Sequence, residues 1–147
     1  MDTEKLLRLL NENNVQYVII GATAFPVHGY ARATLDLDIF IANDTQNVKK
    51  TLKVLREFGY DVTDLSEDDL KENKILIRQY ILETDIHPFV KGVTFNEVWK
   101  NRVLSKIGST DANFASLNDL IKMKTAAGRP KDLEDLKVLR QLTQKTK

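Results

Sequence analysis

Residues 35–41 read LDLDIFI, and this stretch is the clearest strand signal in the chain. Aliphatic side chains occupy every second position, which is the period of a β-strand that buries one face. The opposite face carries Asp36 and Asp38, although aspartate is disfavoured inside strands. The pair therefore needs an explanation beyond strand formation.

The spacing of Asp36 and Asp38 places both carboxylates on one face, about 7 Å apart at the backbone. Two anions this close repel each other unless a cation lies between them. Mg²⁺ is the natural cation, because it prefers oxygen ligands and is often held by one or two carboxylates plus substrate phosphates. The alternative is an exposed strand with an acidic solvent face, and the motif alone is compatible with both. Phe40 argues against a haloacid-dehalogenase-type phosphatase, which usually has Thr or Val at that position.

The segment ILETDIH, residues 81–87, supplies a third candidate acid. Its alternation puts Glu83, Asp85 and His87 on one face. If this strand lies beside the first, Asp85 joins the aspartate pair, and three carboxylates can hold two divalent cations about 3.5–4 Å apart. Asp85 could also accept the proton of an attacking hydroxyl. His87 would then be close enough to contact a metal-bound water.

A glycine turn, Gly21-Ala22-Thr23, follows the apolar run 17–20. Glycine lets the backbone approach a ligand closely. We expect a short helix over residues 22–30, whose free N–H groups would face a phosphate. A strand-to-helix glycine is also compatible with a simple turn, so this signal depends on its position upstream of Asp36.

The remaining pattern alternates helices and strands with short connections. It predicts helices over residues 3–13, 44–58, 95–101 and 116–127, with a last helix that starts at Pro130. It predicts strands over 17–20, 35–41, 75–77 and 80–87, with a hairpin over 102–114. This order indicates an α/β or α+β fold, and we expect residues 1–147 to form a single domain.

Composition removes several classes of protein. The 147 residues include no cysteine and only two histidines, which excludes a disulfide scaffold, a thiolate zinc site, a cysteine nucleophile and a His-rich metal site. The net charge of +1 gives no overall basic field for nucleic acid. The N-terminus MDTEKLLRLL resembles neither a signal peptide nor a membrane span, so we expect a cytoplasmic protein that does not bind membranes.

These motifs together resemble a known family. Val18-Ile-Ile-Gly-Ala22, followed by Asp36-Leu-Asp38 and Asp85, is similar to the polymerase-β-like nucleotidyltransferases. The likeness extends to the DUF6036-like nucleotidyltransferases, which are related to AbiEii-type abortive-infection toxins. It covers most of the chain through His28-Gly29-Tyr30, Arg32-Ala-Thr34, Gly92–Phe95, Trp99–Val103 and Leu117–Leu136. One departure is Ala22, where the family usually has Gly or Ser.

The resemblance implies a small mixed β-sheet flanked by helices and a Mg²⁺-dependent transfer of a nucleoside monophosphate. The donor would be an NTP, with ATP the first choice, and pyrophosphate would be released. The acceptor hydroxyl would belong to a small molecule, a tRNA or a protein, and a homodimer is compatible with the short chain. Two Mg²⁺ ions would be bound, with Mn²⁺ as a substitute. The alternative is a non-catalytic nucleotide-binding protein or toxin–antitoxin component with the same fold.

The resemblance also assigns residues to the site. The catalytic metal ligands would be Asp36, Asp38 and Asp85. The nucleotide would contact Gly21, Ala22, Thr23, Arg32, Thr34, Lys124 and Arg129. Structural alternatives exist for the basic residues: Lys124 could bury its stem and reach solvent, Arg129 could pair with Asp132 or Asp135, and Arg32 could be a simple loop residue.

Overall fold

The computed structural model describes residues 2–32, 34, 36–80 and 82–145. These residues form the strands β1 (Tyr17–Ile20), β2 (Asp36–Ile41), β3 (Ile75–Ile77), β4 (Glu83–His87), β5 (Val103–Ile107) and β6 (Thr110–Phe114). They form the helices α1 (Thr3–Glu12), α2 (Thr45–Phe58), α3 (Glu67–Glu72), α4 (Phe95–Lys100), α5 (Leu117–Ala127) and α6 (Leu133–Lys145). Short 3₁₀ turns lie at Gly21–Ala24, Pro26–His28 and Pro130–Asp132. None of the helices in these ranges is long and apolar enough to cross a membrane.

The strands form one mixed sheet in the order β3-β4-β2-β1-β6-β5. The pairs β2–β4 and β1–β6 are parallel, whereas β1–β2, β3–β4 and β5–β6 are antiparallel. Helices flank this sheet, and the predicted fold class is confirmed.

The two faces of β2 differ sharply. Leu37, Ile39 and Ile41 are at most 1% exposed and belong to the main core. On the same face of β4, the Tyr60 hydroxyl lies 2.9 Å from Thr84 Oγ1, which ties the end of α2 to the sheet. The opposite face carries Phe40, whose ring meets Phe95 of α4 edge-on. Farther along that face, Asp36 and Asp38 remain partly exposed.

A carboxylate joins the N-terminal helix to a distant hairpin. Glu4 in α1 accepts hydrogen bonds from the Ser109 backbone N–H at 2.9 Å and the Thr110 hydroxyl at 3.1 Å. The Ser109 N–H lowers the pKa of Glu4 below its usual value. Gly108 allows the close approach, since its φ is +59° and an added Cβ would lie 2.5 Å from the Glu4 carboxylate. The turn between β5 and β6 is therefore closed by a side chain from the other end of the chain.

The predicted helix over residues 22–30 is wrong. Two 3₁₀ turns occupy this segment, and the second begins at Pro26. Proline has no backbone N–H for an α-helical hydrogen bond. Gly29 then turns the chain at a φ of +98°, and the Phe25 and Tyr30 rings stack 5.2 Å apart. Pro26, Gly29 and the packing of the two rings therefore prevent a continuous α-helix over this segment.

Other boundaries differ in smaller ways. The strand predicted over residues 80–87 starts at Glu83, and Tyr80 instead donates its hydroxyl proton to the Gly59 carbonyl. The predicted strand positions Leu35 and Ile81 lie outside the described residues. Helix α3 was not predicted, because Leu70 is its single buried residue. The helix expected from Pro130 begins with a 3₁₀ turn and becomes α-helical at Leu133.

Candidate active site

The register of two parallel strands builds an acidic face. Strand β2 pairs with β4 so that Asp36 lies beside Glu83, Asp38 beside Asp85 and Phe40 beside His87. Because side chains alternate along each strand, these neighbours project on the same side of the sheet. The expected meeting of Asp38 and Asp85 is present, and it follows from the adjacency of β2 and β4.

Three side chains converge at one point on this face. Ligand atoms of Asp38, Asp85 and His87 all lie within 4.8 Å of one another. His87 Nε2 lies 2.9 Å from Asp38 Oδ1, and the ring N–H donates to the carboxylate. Two carboxylates and one imidazole form a donor set that suits a divalent cation with open positions for water and phosphate oxygens. The sequence predicted that His87 could contact a metal-bound water. In the structure it also contacts Asp38 directly.

Asp36 lies outside this convergent group. Its carboxyl group instead interacts with Glu83 on the neighbouring strand. A hydrogen bond to Asp36 raises the pKa of Glu83, because it stabilises the protonated form of that carboxyl group. The acidic face therefore contains two carboxyl pairs in adjacent register positions.

Arg78 is a site residue that the sequence did not reveal. Its Nη1 donates a 2.5 Å hydrogen bond to Asp85 Oδ1, and its Nε lies 3.4 Å from Glu83 Oε2. The hydrogen bond to Asp85 is the main reason that the pKa of Arg78 is raised further above its usual value. A signal was present, since the apolar positions Ile75 and Ile77 leave residue 78 on the polar face of the strand pair.

The glycine turn lies directly against the acidic face. Gly21 has a φ of +73°, and a Cβ at this position would lie 2.8 Å from Asp38 Oδ2. Thr23 donates its hydroxyl proton to the Asp36 carbonyl at 2.9 Å. Glycine is thus required both by the backbone conformation and by the close approach to Asp38. The Thr23 hydroxyl anchors the start of β2.

The predicted basic residues form a second charged cluster. Lys124 Nζ lies 3.0 Å from Asp132 Oδ1 and 3.3 Å from Asp135 Oδ2. Arg129 Nε lies 2.7 Å from Asp132 Oδ2, and Arg32 Nη1 pairs with Asp135. Arg129 is the main cause of the strongly lowered pKa of Asp132, with Lys124 contributing as well. The ion pair between Arg129 and Asp132, one of the structural alternatives, is therefore present.

One cavity of about 400 Å³ connects the two clusters. Its volume falls in the usual range for small-molecule sites. The candidate residues that line it are Gly21, Ala22, Arg32, Thr34, Asp36, Asp38, Asp85, Lys124 and Arg129, together with His87. Thr23 lines an adjoining hollow of about 380 Å³ that shares Arg32, Thr34 and Asp36. The chain thus brings nearly all of its predicted site residues to one opening. Lys124 and Arg129 lie on a wall that also carries Asp132 and Asp135.

The histidine of the glycine segment has a structural role. His28 Nε2 donates to the Ala115 carbonyl at 2.8 Å, which links the second 3₁₀ turn to the residue after β6. His28 does not line the 400 Å³ cavity. Its place in the sequence pattern is explained by this contact.

The comparisons with known proteins agree with this geometry. The family model described as "Nucleotidyltransferase of unknown function (DUF6036)" matches residues 1–144. No curated protein matches the sequence. The family match covers nearly the whole chain, including both strands of the acidic face and both helices of the basic cluster. The chain therefore belongs to the DUF6036 family of nucleotidyltransferases.

Proposed function

We propose that this protein transfers a nucleoside monophosphate from an NTP to an acceptor hydroxyl with the help of Mg²⁺. The acceptor oxygen would form a bond to the α-phosphorus, and the bond from that phosphorus to the bridging oxygen would break. Pyrophosphate would leave, and the hydroxyl proton would pass to a carboxylate. The observation that carries the proposal is the convergence of Asp38, Asp85 and His87 in a cavity with basic residues on another wall.

The donor set fits a divalent cation. Asp38 and Asp85 offer the oxygen ligands that Mg²⁺ prefers, and His87 adds a nitrogen that Mn²⁺ also accepts. When bound, the ion would neutralise phosphate charge and polarise the reacting phosphoryl group. Asp36 lies two residues before Asp38 on the same face of β2. We propose it as a ligand of a second ion, which the substrate would also contact.

The remaining residues would position the substrates. Asp85 is our candidate acceptor of the hydroxyl proton, because it lies at the convergence point and is 8% exposed. Arg32 and Arg129 pair with Asp135 and Asp132, but their side chains are 45% and 53% exposed, so both would still attract a triphosphate. Lys124, which pairs with the same two aspartates, would add to this attraction. Phosphoryl transfer needs little covalent chemistry from a protein, so this arrangement of charge and position is what the reaction requires.

A second function is favoured by one departure in the glycine turn. Ala22 lacks the hydroxyl that the resembled family often has, and the Thr23 hydroxyl is engaged by the Asp36 carbonyl. A protein that binds nucleotide without turnover, including a toxin–antitoxin component, would tolerate this loss. The two functions share the binding site and differ in transfer of the α-phosphate.

The test uses the full chain and each of the four NTPs labelled at the α-phosphate. Each is incubated with Mg²⁺ and, in turn, with a small-molecule extract, total tRNA or a protein fraction. We expect label to move to one acceptor class with the natural protein and not with Asp38→Asn. Mg²⁺-dependent NTP binding without transfer to any fraction would replace the enzyme with the binding protein. Absence of both binding and transfer would contradict both functions.

A further inference from the structure

The edge strand of the sheet contributes a row of side chains to the acidic face. Leu76 pairs with Asp85 in the β3–β4 register, so residues 74, 76 and 78 continue the same face. Lys74 and Leu76 are exposed, and Arg78 reaches across to β4. A guanidinium group is therefore placed beside the convergent group of Asp38, Asp85 and His87.

The charges on this face are unequal. Asp36, Asp38, Glu83 and Asp85 carry the acidic groups. Among the described residues, the cationic side chains within ion-pair distance of these acids are Arg78 and, when protonated, His87. Arg78 contacts both Glu83 and Asp85, so it is the permanent positive charge that offsets their repulsion.

A divalent cation and Arg78 would interact with the same carboxylate. Arg78 Nη1 lies 2.5 Å from Asp85 Oδ1, while Asp85 is also one of the three convergent ligands. A carboxylate has two oxygens, so the competition is mainly electrostatic. Two positive charges on one carboxylate repel each other, and the guanidinium therefore opposes binding of the ion.

The Arg78 side chain can leave Asp85 while its backbone stays in place. The Arg78 side chain is 40% exposed and the Asp85 side chain is 11% exposed, so the guanidinium can rotate into solvent while Asp85 stays in place. The second contact of Arg78, with Glu83, is exposed on both sides and is held weakly. The residues that follow are anchored, because Gln79 accepts from the Asp61 N–H and Tyr80 donates to the Gly59 carbonyl. Release would then be a side-chain rotation without movement of the strand.

We propose that Arg78 is a built-in counter-cation that holds Asp85 in the metal-free protein and gives way when a divalent ion binds. This inference rests on the proposed function, because it assumes that Asp38, Asp85 and His87 bind the ion. Its consequence is that the free ion binds weakly. The triphosphate of an NTP adds negative charge to the cavity, so the ion binds better together with the nucleotide.

The test measures binding of Mn²⁺ alone to the full chain by calorimetry and by the loss of the free-ion paramagnetic resonance signal. The variants are Arg78→Met, Arg78→Lys and the control Arg56→Met, which removes an exposed arginine of α2. We expect Arg78→Met to bind Mn²⁺ about tenfold more tightly than the natural protein, equivalent to about 1.4 kcal/mol. Arg78→Lys keeps the charge and should lie between the two. Arg56→Met should match the natural protein.

Unchanged or weaker Mn²⁺ binding in Arg78→Met would overturn the proposal, because Arg78 would then only position Asp85. In that case Mn²⁺ binding that is lost in Asp38→Asn would leave the proposed function intact. Tight binding in Arg78→Met with none detectable in the natural protein would support the proposal. No Mn²⁺ binding to either the natural protein or Arg78→Met would overturn both this proposal and the proposed function. Circular dichroism and the thermal midpoint verify that each variant is folded.

Discussion

Two charged clusters line one cavity, and they are built in opposite ways. One is the acidic face of β2 and β4, and the other is the network of ion pairs formed by Lys124, Arg129 and Arg32 with Asp132 and Asp135. In the network, the buried Asp132 contacts Lys124 and Arg129. On the acidic face, carboxylates outnumber their cationic partners, and Asp38 and Asp85 lie side by side. Both clusters contain several carboxylates, so acidic content alone does not distinguish them.

This difference distinguishes charges that stabilise the fold from charges that remain available to bind a cation. Asp132 and Asp135 are buried, and their cationic partners offset the cost of removing them from water. The carboxylates of the acidic face keep repulsion that an added cation would relieve. A balanced cluster should therefore lose stability when one charge is removed, and an unbalanced cluster should lose binding instead.

Asp132→Asn is the strongest test of the balanced cluster. We expect it to lower the free energy of unfolding by about 3 kcal/mol, because Lys124 and Arg129 lose a buried partner. Urea unfolding measures the change. The matched control is Asp111→Asn, whose side chain is 83% exposed and pairs with Lys106, and which should change stability by less than about 0.5 kcal/mol. Similar small losses in both variants would erase the distinction between the clusters.

The same substitution in the unbalanced cluster should act on binding. We expect Asp38→Asn to leave the ligand-free protein as stable as the natural one or slightly more stable, because repulsion with Asp85 is removed. It should abolish stabilisation by Mg²⁺ with NTP, about 2.7 kcal/mol at one hundred times the dissociation constant. Thermal unfolding with and without ligand measures both quantities. A large loss of stability without ligand would show that Asp38 belongs with the structural charges.

Gly21→Ala sharpens the comparison by disturbing the acidic face without changing its charge. The left-handed φ should cost about 1–2 kcal/mol. The added Cβ would also meet Asp38 Oδ2 at 2.8 Å and move the carboxylate. Gly128→Ala is the matched control, because its φ is +60° and its nearest contact would be an ordinary 3.7 Å. We expect both variants to lose stability because of the left-handed φ, but only Gly21→Ala to weaken Mn²⁺ binding. Equal Mn²⁺ affinities would contradict the close approach.

The dependence of stability on pH should also reveal the ion pairs of Asp132, with a smaller effect than the substitutions above. Arg129 lowers the pKa of Asp132 in the folded protein, whereas the unfolded chain takes up this proton near pH 4. The stabilisation is therefore complete above about pH 4 and declines as the pH falls toward the folded pKa. We expect unfolding measured between pH 7 and pH 2 to show a shallower acid decline in Asp132→Asn. Parallel curves for the two proteins would contradict this assignment.

Much of the site was predictable because its chemistry is encoded in short periodic segments. Alternation along residues 35–41 and 81–87 put Asp38 and Asp85 on polar faces, but their contact depended on strand order, which local periodicity does not determine. Arg78 was missed because its role arises from the β3–β4 pairing.

Helix α3 was missed for another reason. Ser66 and Asp69 form a capping box that the sequence shows, but Leu70 is the single buried residue of this helix, so no helical repeat of apolar residues indicates it.

The basic cluster shows the limit of sequence reasoning more clearly. Arg129 and Asp132 are three residues apart, so their pairing could be weighed as an alternative. Lys124 and Asp135 are brought together only when α6 packs against α5 after the Pro130–Asp132 turn. Helical spacing could therefore place Lys124 at the site, but it could not show which carboxylates it would contact.

The contact between Glu4 and the Ser109 turn has a consequence for how the chain is made. Strand β1 receives its second neighbour, β6, through the pairing of Ile19 with Phe114, and the Glu4 contact bridges a similar separation. While a ribosome is still producing the middle of the chain, β1 carries one open edge with buried-type side chains, and α1 lacks its anchor. Open apolar edges favour association between chains, and distant pairings slow folding. Residues 103–114 therefore act as the closing segment, and release from the ribosome before residue 114 would leave β1 without its neighbour β6.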